Sequence, residues 1–158
     1  MTIAIYETLL GNAVRRNIRN NEQWACPRVS DLSFIVASFA GKIELETFEE
    51  GRESRLTDDL TRRAVLRTFA NYFEVDELDV IVTSFDLGNQ AETGSDKPGA
   101  DYNEMVNGID GMDQAVKKLT DDKRPEVIAA AVEFILEGLH LSRKLNCDRS
   151  GESAVYKR

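Results

Sequence analysis

Apolar residues recur along this chain at intervals of three and four, the spacing that gathers side chains on one face of an α-helix. Ile3, Tyr6, Leu10, Ala13, Val14 and Ile18 predict an amphipathic helix over 3–19, its apolar stripe turned to a shared interior. Thr2 is suited to cap its start, because a hydroxyl there accepts from an orphan amide of the first turn. Asn20-Asn21 favours an end, and Arg15, Arg16 and Arg19 lie toward the negative end of the helix dipole. Pro27 donates no backbone hydrogen bond and pushes Cys26 toward an extended conformation, so Cys26–Asp31 reads as a turn. A second helix then starts at Ser30 or Asp31 and runs through Leu32, Ile35, Val36 and Phe39 toward Ala40, with Gly41 as the stop. Lys42–Glu46 alternates in polarity. It is taken as helix, because no second strand is evident to pair with it.

Past a polar stretch at 48–54, a connection or an exposed helical end, Thr57-Asp58-Asp59 opens a third helix with Leu60, Ala64, Val65, Thr68, Phe69, Tyr72 and Phe73 toward the core. Asp76-Glu77 opens a fourth, through Leu78, Ile81, Val82 and Phe85 to Gly88. Residues 89–99 hold turn formers and no apolar pattern, which predicts a mobile loop. Two short helices follow, Tyr102 to Asn107 and Gly111 or Met112 to Leu119. Pro125 fits the first turn of a long final helix carrying Val127, Ile128, Ala131, Phe134, Ile135, Leu139, Ser142 and Leu145. The stretch from Asp148 to Arg158 reads as a frayed tail. The expected fold is therefore mainly α, a single bundle-like domain of about six to seven helices.

The 158 residues suit one domain, or one domain with a small appendage, that needs neither disulfide nor metal to fold. Lys and Arg number 20 against 28 Asp and Glu, a net charge of −8. That balance repels phosphate backbones, and no basic cluster with interleaved aromatics offsets it, which argues against nucleic acid. No apolar run approaches the ~20 residues that span a bilayer, and the start lacks the basic region of a secretory signal. Cys26 and Cys147 are then expected as reduced thiols in the cytoplasm.

The sequence has no GxxxxGK[ST] segment, so a nucleotide would lack its phosphate cradle. Gly108-Ile109-Asp110-Gly111 follows no strand and reads as a turn between helices rather than a dinucleotide loop. His140, the single histidine, lies three residues after Glu137 and can share a helix face with it. One such pair supplies too few ligands for a metal, and no second Glu-x-x-His exists. The many carboxylates fit helix N-termini and solvated faces. No catalytic, cofactor or metal residue is assigned.

Several ordered segments resemble the C-terminal part of magnesium-chelatase-like AAA+ ATPases. Tyr6-Glu7-Thr8-Leu9-Leu10-Gly11-Asn12-Ala13-Val14-Arg15-Arg16 is similar to the family's lid helix, which reads close to Y-E-N-L-V-S-N-A-E-R-R. Pro27-Arg28-Val29-Ser30-Asp31-Leu32, Gly41-Lys42-Ile43-Glu44-Leu45-Glu46 and Phe85-Asp86-Leu87-Gly88 follow in the family's order. Glu133-Phe134-Ile135-Leu136-Glu137-Gly138-Leu139-His140 with Arg143-Lys144-Leu145 completes the series. The phosphate-binding loop, the acidic Mg-coordinating motif and the arginine finger of such ATPases lie upstream and have no counterpart in this sequence. The resemblance implies a fragment or split product without ATPase activity of its own, ATP and Mg belonging to a parent enzyme. Residues 1–50 would be lid-like helices, 51–146 an accessory helical region and 147–158 a flexible tail. The implied role couples nucleotide state to contacts with an ATPase core, neighbouring subunits or a client protein. Arg15, Arg16, Arg28, Asp31, Lys42, Glu137, His140 and Arg143 are the interaction candidates. The competing expectation is an independent helical adaptor that binds another protein.

Overall fold

A computed structural model describes residues 2–38 and 52–158. The expected end of the second helix at Phe39–Gly41, the helix over 42–46 with Lys42, and residues 48–51 of the connection lie outside these, as does the side chain of Thr2. The described chain is mainly α. Helix α1 spans Thr2–Arg19, and a 3-10 segment covers Val29–Ser38. Helix α2 follows at Arg52–Phe69, then a 3-10 turn at Val75–Leu78 leading into α3, Asp79–Asp86. Strand β1, Ala91–Gly94, precedes a short 3-10 turn at Gly99–Asp101. Helices α4 (Tyr102–Gly108), α5 (Met112–Leu119) and α6 (Pro125–Leu141) come next, and strands β2 (Asn146–Ser150) and β3 (Ser153–Lys157) close the order.

Helix α6 is the axis of the body. Ala129, Val132, Ile135, Leu136 and Leu139 are buried along it, and α2, α4 and α5 pack around it. Pro125 opens it, where a missing amide hydrogen costs nothing because that turn has no internal acceptor. The crossing with α2 is tight. A Cβ at Gly138 would sit 2.0 Å from Cδ2 of Phe69, so only glycine lets that ring lie against the helix. Phe69 stacks in turn on Phe73 and Phe134, with ring centroids 5.2 and 5.8 Å apart. Helix α6 stops at Leu141, short of the expected Leu145. Arg143 takes a left-handed φ of 62°, and the amides of Lys144 and Leu145 turn back to the carbonyl of Leu139.

Other expectations give way to the structure. Residues 89–99 are not a featureless loop: Ala91–Gly94 is an edge strand with Ala91, Thr93 and Gly94 buried. The tail expected to be flexible over 147–158 is most of an antiparallel hairpin, and the sheet order is β1-β3-β2. Ser150 pairs with Ser153, so Gly151-Glu152 is a two-residue turn, and Gly151 supplies the left-handed φ of 59° that such turns favour at their first central position. Ala154 and Tyr156 point inward from β3 and join the core. The second helix is a 3-10 segment rather than α. The third helix, α2, opens at Arg52 rather than at Thr57 and ends at Phe69, so Tyr72 and Phe73 lie beyond it. Leu60 and Tyr72 are half exposed, while Phe69 and Phe73 carry the burial.

The largest departure concerns α1. Its apolar stripe faces away from the protein: Ile3 is 74% exposed, Tyr6 60% and Ile18 73%, with Leu10 and Val14 also open. The inward face carries Ala13 and Arg16 instead. Among the described residues, the apolar core runs from Phe69 to Tyr156 and takes none from α1 or from Val29–Ser38. These two elements pack on one another as an N-terminal arm. Among the described residues, no helix is long and apolar enough to cross a membrane.

Candidate functional site

With no apolar contribution to the core, the arm is organised by charge. Arg16, 1% exposed, sends Nη2 to Oδ2 of Asp31 at 2.9 Å and to the carbonyl of Cys26 at 2.6 Å. Its Nη1 reaches Oε2 of Glu22 at 3.1 Å, and Oε1 of Glu22 accepts from Nη2 of Arg28 at 2.6 Å. Asp31 also accepts from the backbone amide of Arg28 at 2.8 Å, the reciprocal half of a capping box, which fixes the start of the 3-10 segment. Arg16, Glu22, Arg28 and Asp31 thus form one buried ionic lattice inside the arm. Guanidinium groups suit this position, since each offers a planar fork of donors to several oxygens at once.

The arm meets the body along a polar seam. Nη1 of Arg28 donates to the carbonyl of Lys97 at 2.8 Å, and the amide of Gly99 donates to Oε1 of Glu22 at 2.7 Å. The amide of Ser30 donates to Oε2 of Glu133 at 2.8 Å. Oε1 of Glu126 accepts from the amides of Gln23 and Trp24 at 3.1 and 3.3 Å. Arg19 and Asn20 close the far end on the hydroxyl and carbonyl of Ser95. The Arg28 guanidinium lies 5.0 Å from the centre of the Tyr102 ring, and the Tyr102 hydroxyl donates to Oε1 of Glu133 at 2.6 Å. Glu133 is fully enclosed. Burial pushes its carboxyl above the ordinary value of 4.5, and the bonds from Tyr102 and Ser30 only partly oppose that. Burial beside Glu133 likewise raises the Tyr102 hydroxyl, keeping it a donor.

A cleft of about 430 Å³ opens along the seam. Val29, Leu32 and Val36 of the arm form one wall, Thr61 and Val65 of α2 another, and Glu133 and Glu137 with Tyr156 the α6 side. One turn along α6 from Glu133, Glu137 takes Arg149 at 2.5 Å and the Tyr156 hydroxyl at 2.7 Å, tying β2 and β3 to the helix.

The interaction candidates therefore separate. Arg16, Arg28 and Asp31 come together in the lattice, although they derive from two segments of the sequence. Arg15 stays outside, its guanidinium 4.6 Å over the Phe34 ring. Glu137 does not pair with His140, whose Nδ1 lies 3.1 Å from the carbonyl of Leu145 and whose Nε2 lies 3.3 Å from Nη2 of Arg62. Arg143 is exposed at the end of α6. Cys26 and Cys147 are free thiols, both raised by burial. Among the described residues, no group of three or more metal-binding side chains is assembled. Glu22, Glu126 and Glu133 were not singled out from sequence. The one signal available for Glu126 and Glu133 was a carboxylate within the apolar stretch of α6.

Comparison of the chain with models of known families, with curated proteins and with solved structures finds no match.

Proposed function

We propose that this chain is the non-catalytic, C-terminal helical part of an AAA+ ATPase of the magnesium-chelatase-like family, and that the outward face of α1 docks on the ATPase core. The observation that carries the reading is the exposed stripe of Ile3, Tyr6, Leu10, Val14 and Ile18. Covering large apolar side chains stabilises a complex by ~1.5–3 kcal/mol for each one fully buried, and contiguous exposed stripes mark interaction surfaces. The segments that carry the resemblance support the occupant: the stripe lies on the lid-like helix, the element that such a parent would place next to its nucleotide-binding core. The arm's internal ion pairs make that helix a stiff lever, as transmission of nucleotide state requires.

The test is co-expression with the ATP-binding module encoded in frame with this chain or beside it. The two should co-purify. Tyr6→Asp with Ile18→Asp should abolish the association while leaving the isolated chain's stability within about 0.5 kcal/mol, since both side chains are exposed. Calorimetry with ATP and Mg should show no binding to the chain alone. Stoichiometric nucleotide binding by the chain, or an unaltered complex with the double variant, overturns the reading. A complex through the stripe with a partner that is not an ATPase would replace it with the independent adaptor.

A further inference from the structure

The seam between arm and body is held mainly by polar contacts. These include hydrogen bonds between arm and body through single carboxylates, carbonyls and amides, and the Arg28 and Arg124 guanidinium groups over the Tyr102 and Trp24 rings. A half-exposed ion pair, Arg19 with Glu152, crosses it as well. Among the described residues, the buried side-chain atoms without a hydrogen-bond partner are Nε of Arg28, Oγ of Ser30 and Oε2 of Glu126. All three belong to seam residues. A buried polar atom without a partner costs free energy that water restores on exposure, so the seam gains at three points when it is wetted. The cleft of about 430 Å³ lies on the same line, so apolar packing there is incomplete as well. The buried ion pairs lie elsewhere: Arg16 with Asp31 and Glu22, and Arg28 with Glu22, connect residues of the arm to one another, whereas the Arg19–Glu152 pair across the seam is half exposed and screened by water. Opening the seam leaves the buried pairs intact.

From this division we infer that residues 2–38 leave the body as one rigid piece, the seam opening to water while the arm keeps its ionic lattice and the body keeps its apolar core. This deepens the proposed function, supplying the second position that a lid-like lever needs. The opening itself is a property of the chain alone.

Hydrogen exchange on the full chain tests it. The amides of Gln23, Trp24, Ser30 and Gly99, each held by a carboxylate across the seam, should share one opening equilibrium and exchange about a hundredfold or more faster than those of Ile135 and Leu136 in α6. Helical amides of α1 around Ala13 should stay protected beyond the seam amides, because the arm moves without melting. Glu126→Ala removes the acceptor shared by the amides of Gln23 and Trp24 and should speed seam exchange about tenfold further, with Ile135 and Leu136 of α6 unchanged. If that variant loses α6 protection, Asn20→Ala, which removes the donor to the Ser95 carbonyl, serves as the seam lesion in its place. Seam amides that exchange only as fast as α6 overturn the inference, and so does α1 exchanging together with the seam. An opening seam without ATPase association sinks only the partner reading, and a closed seam with association intact sinks only this one.

Discussion

Gly138 and Phe69 set the tightest contact of the body. Because a Cβ would fall 2.0 Å from the ring, Gly138→Ala must push α2 off α6 or tilt the ring out of its stack on Phe73 and Phe134. Overpacking of this kind costs about 1–3 kcal/mol, read as a lowered urea midpoint, and Phe69→Leu in the same chain should recover part of it. Glu133 makes a prediction of a different kind. Its carboxyl is raised in the fold by burial, so its contribution to stability is fully present below the ordinary 4.5 and is lost as pH rises through the folded value. Its charged form is favoured by the bonds from Tyr102 and the Ser30 amide and by the field of Arg28, which oppose that burial only in part. Glu133→Gln should therefore gain stability relative to the parent as pH climbs from about 4 to about 8. Urea titrations of both chains across that range check it, and a difference independent of pH would refute the assignment.

At the scale of elements, helices were legible and strands were not. The positions Ile81, Val82 and Phe85, and those of the final helix, repeat at helical spacing and are buried or half-buried as expected. Strand β3 did carry a signal: Ser153-Ala154-Val155-Tyr156-Lys157 alternates with period two behind a glycine turn. Its partners are polar, Asn146–Ser150 and Ala91–Gly94, and pairings set by tertiary context leave no trace in local propensity. The hairpin depends on its turn. Gly151→Val places a β-branched residue at φ 59° and should cost about 1–2 kcal/mol in thermal unfolding, whereas Gly151→Asn should be tolerated. In α1 the helical periodicity holds, but the stripe faces outward instead of toward the core. An apolar stripe declares that a face wants covering, and it does not say by what.

For the whole molecule, the sequence predicted one shared interior, and the fold has an apolar body with a charged arm laid against it. Arg16, Arg28 and Asp31 were found as candidates through their segments, but their common lattice depends on Glu22, which no pattern distinguished from the other carboxylates. The cleft was invisible for the same reason. It is a product of how α2, α6 and the 3-10 segment are placed, which local periodicity does not encode.

The order β1-β3-β2 also fixes a timetable. Residues 91–94 have no strand to join until 153–157 arrive, while β2 needs only its neighbour across a two-residue turn. On a ribosome, the helices between them can condense first, leaving the backbone of 91–94 bare until Lys157 has emerged. Closing so long a loop is slow for entropic reasons. The nascent chain therefore carries an unpaired strand from the emergence of Gly94 to that of Lys157, and a chaperone would find it there.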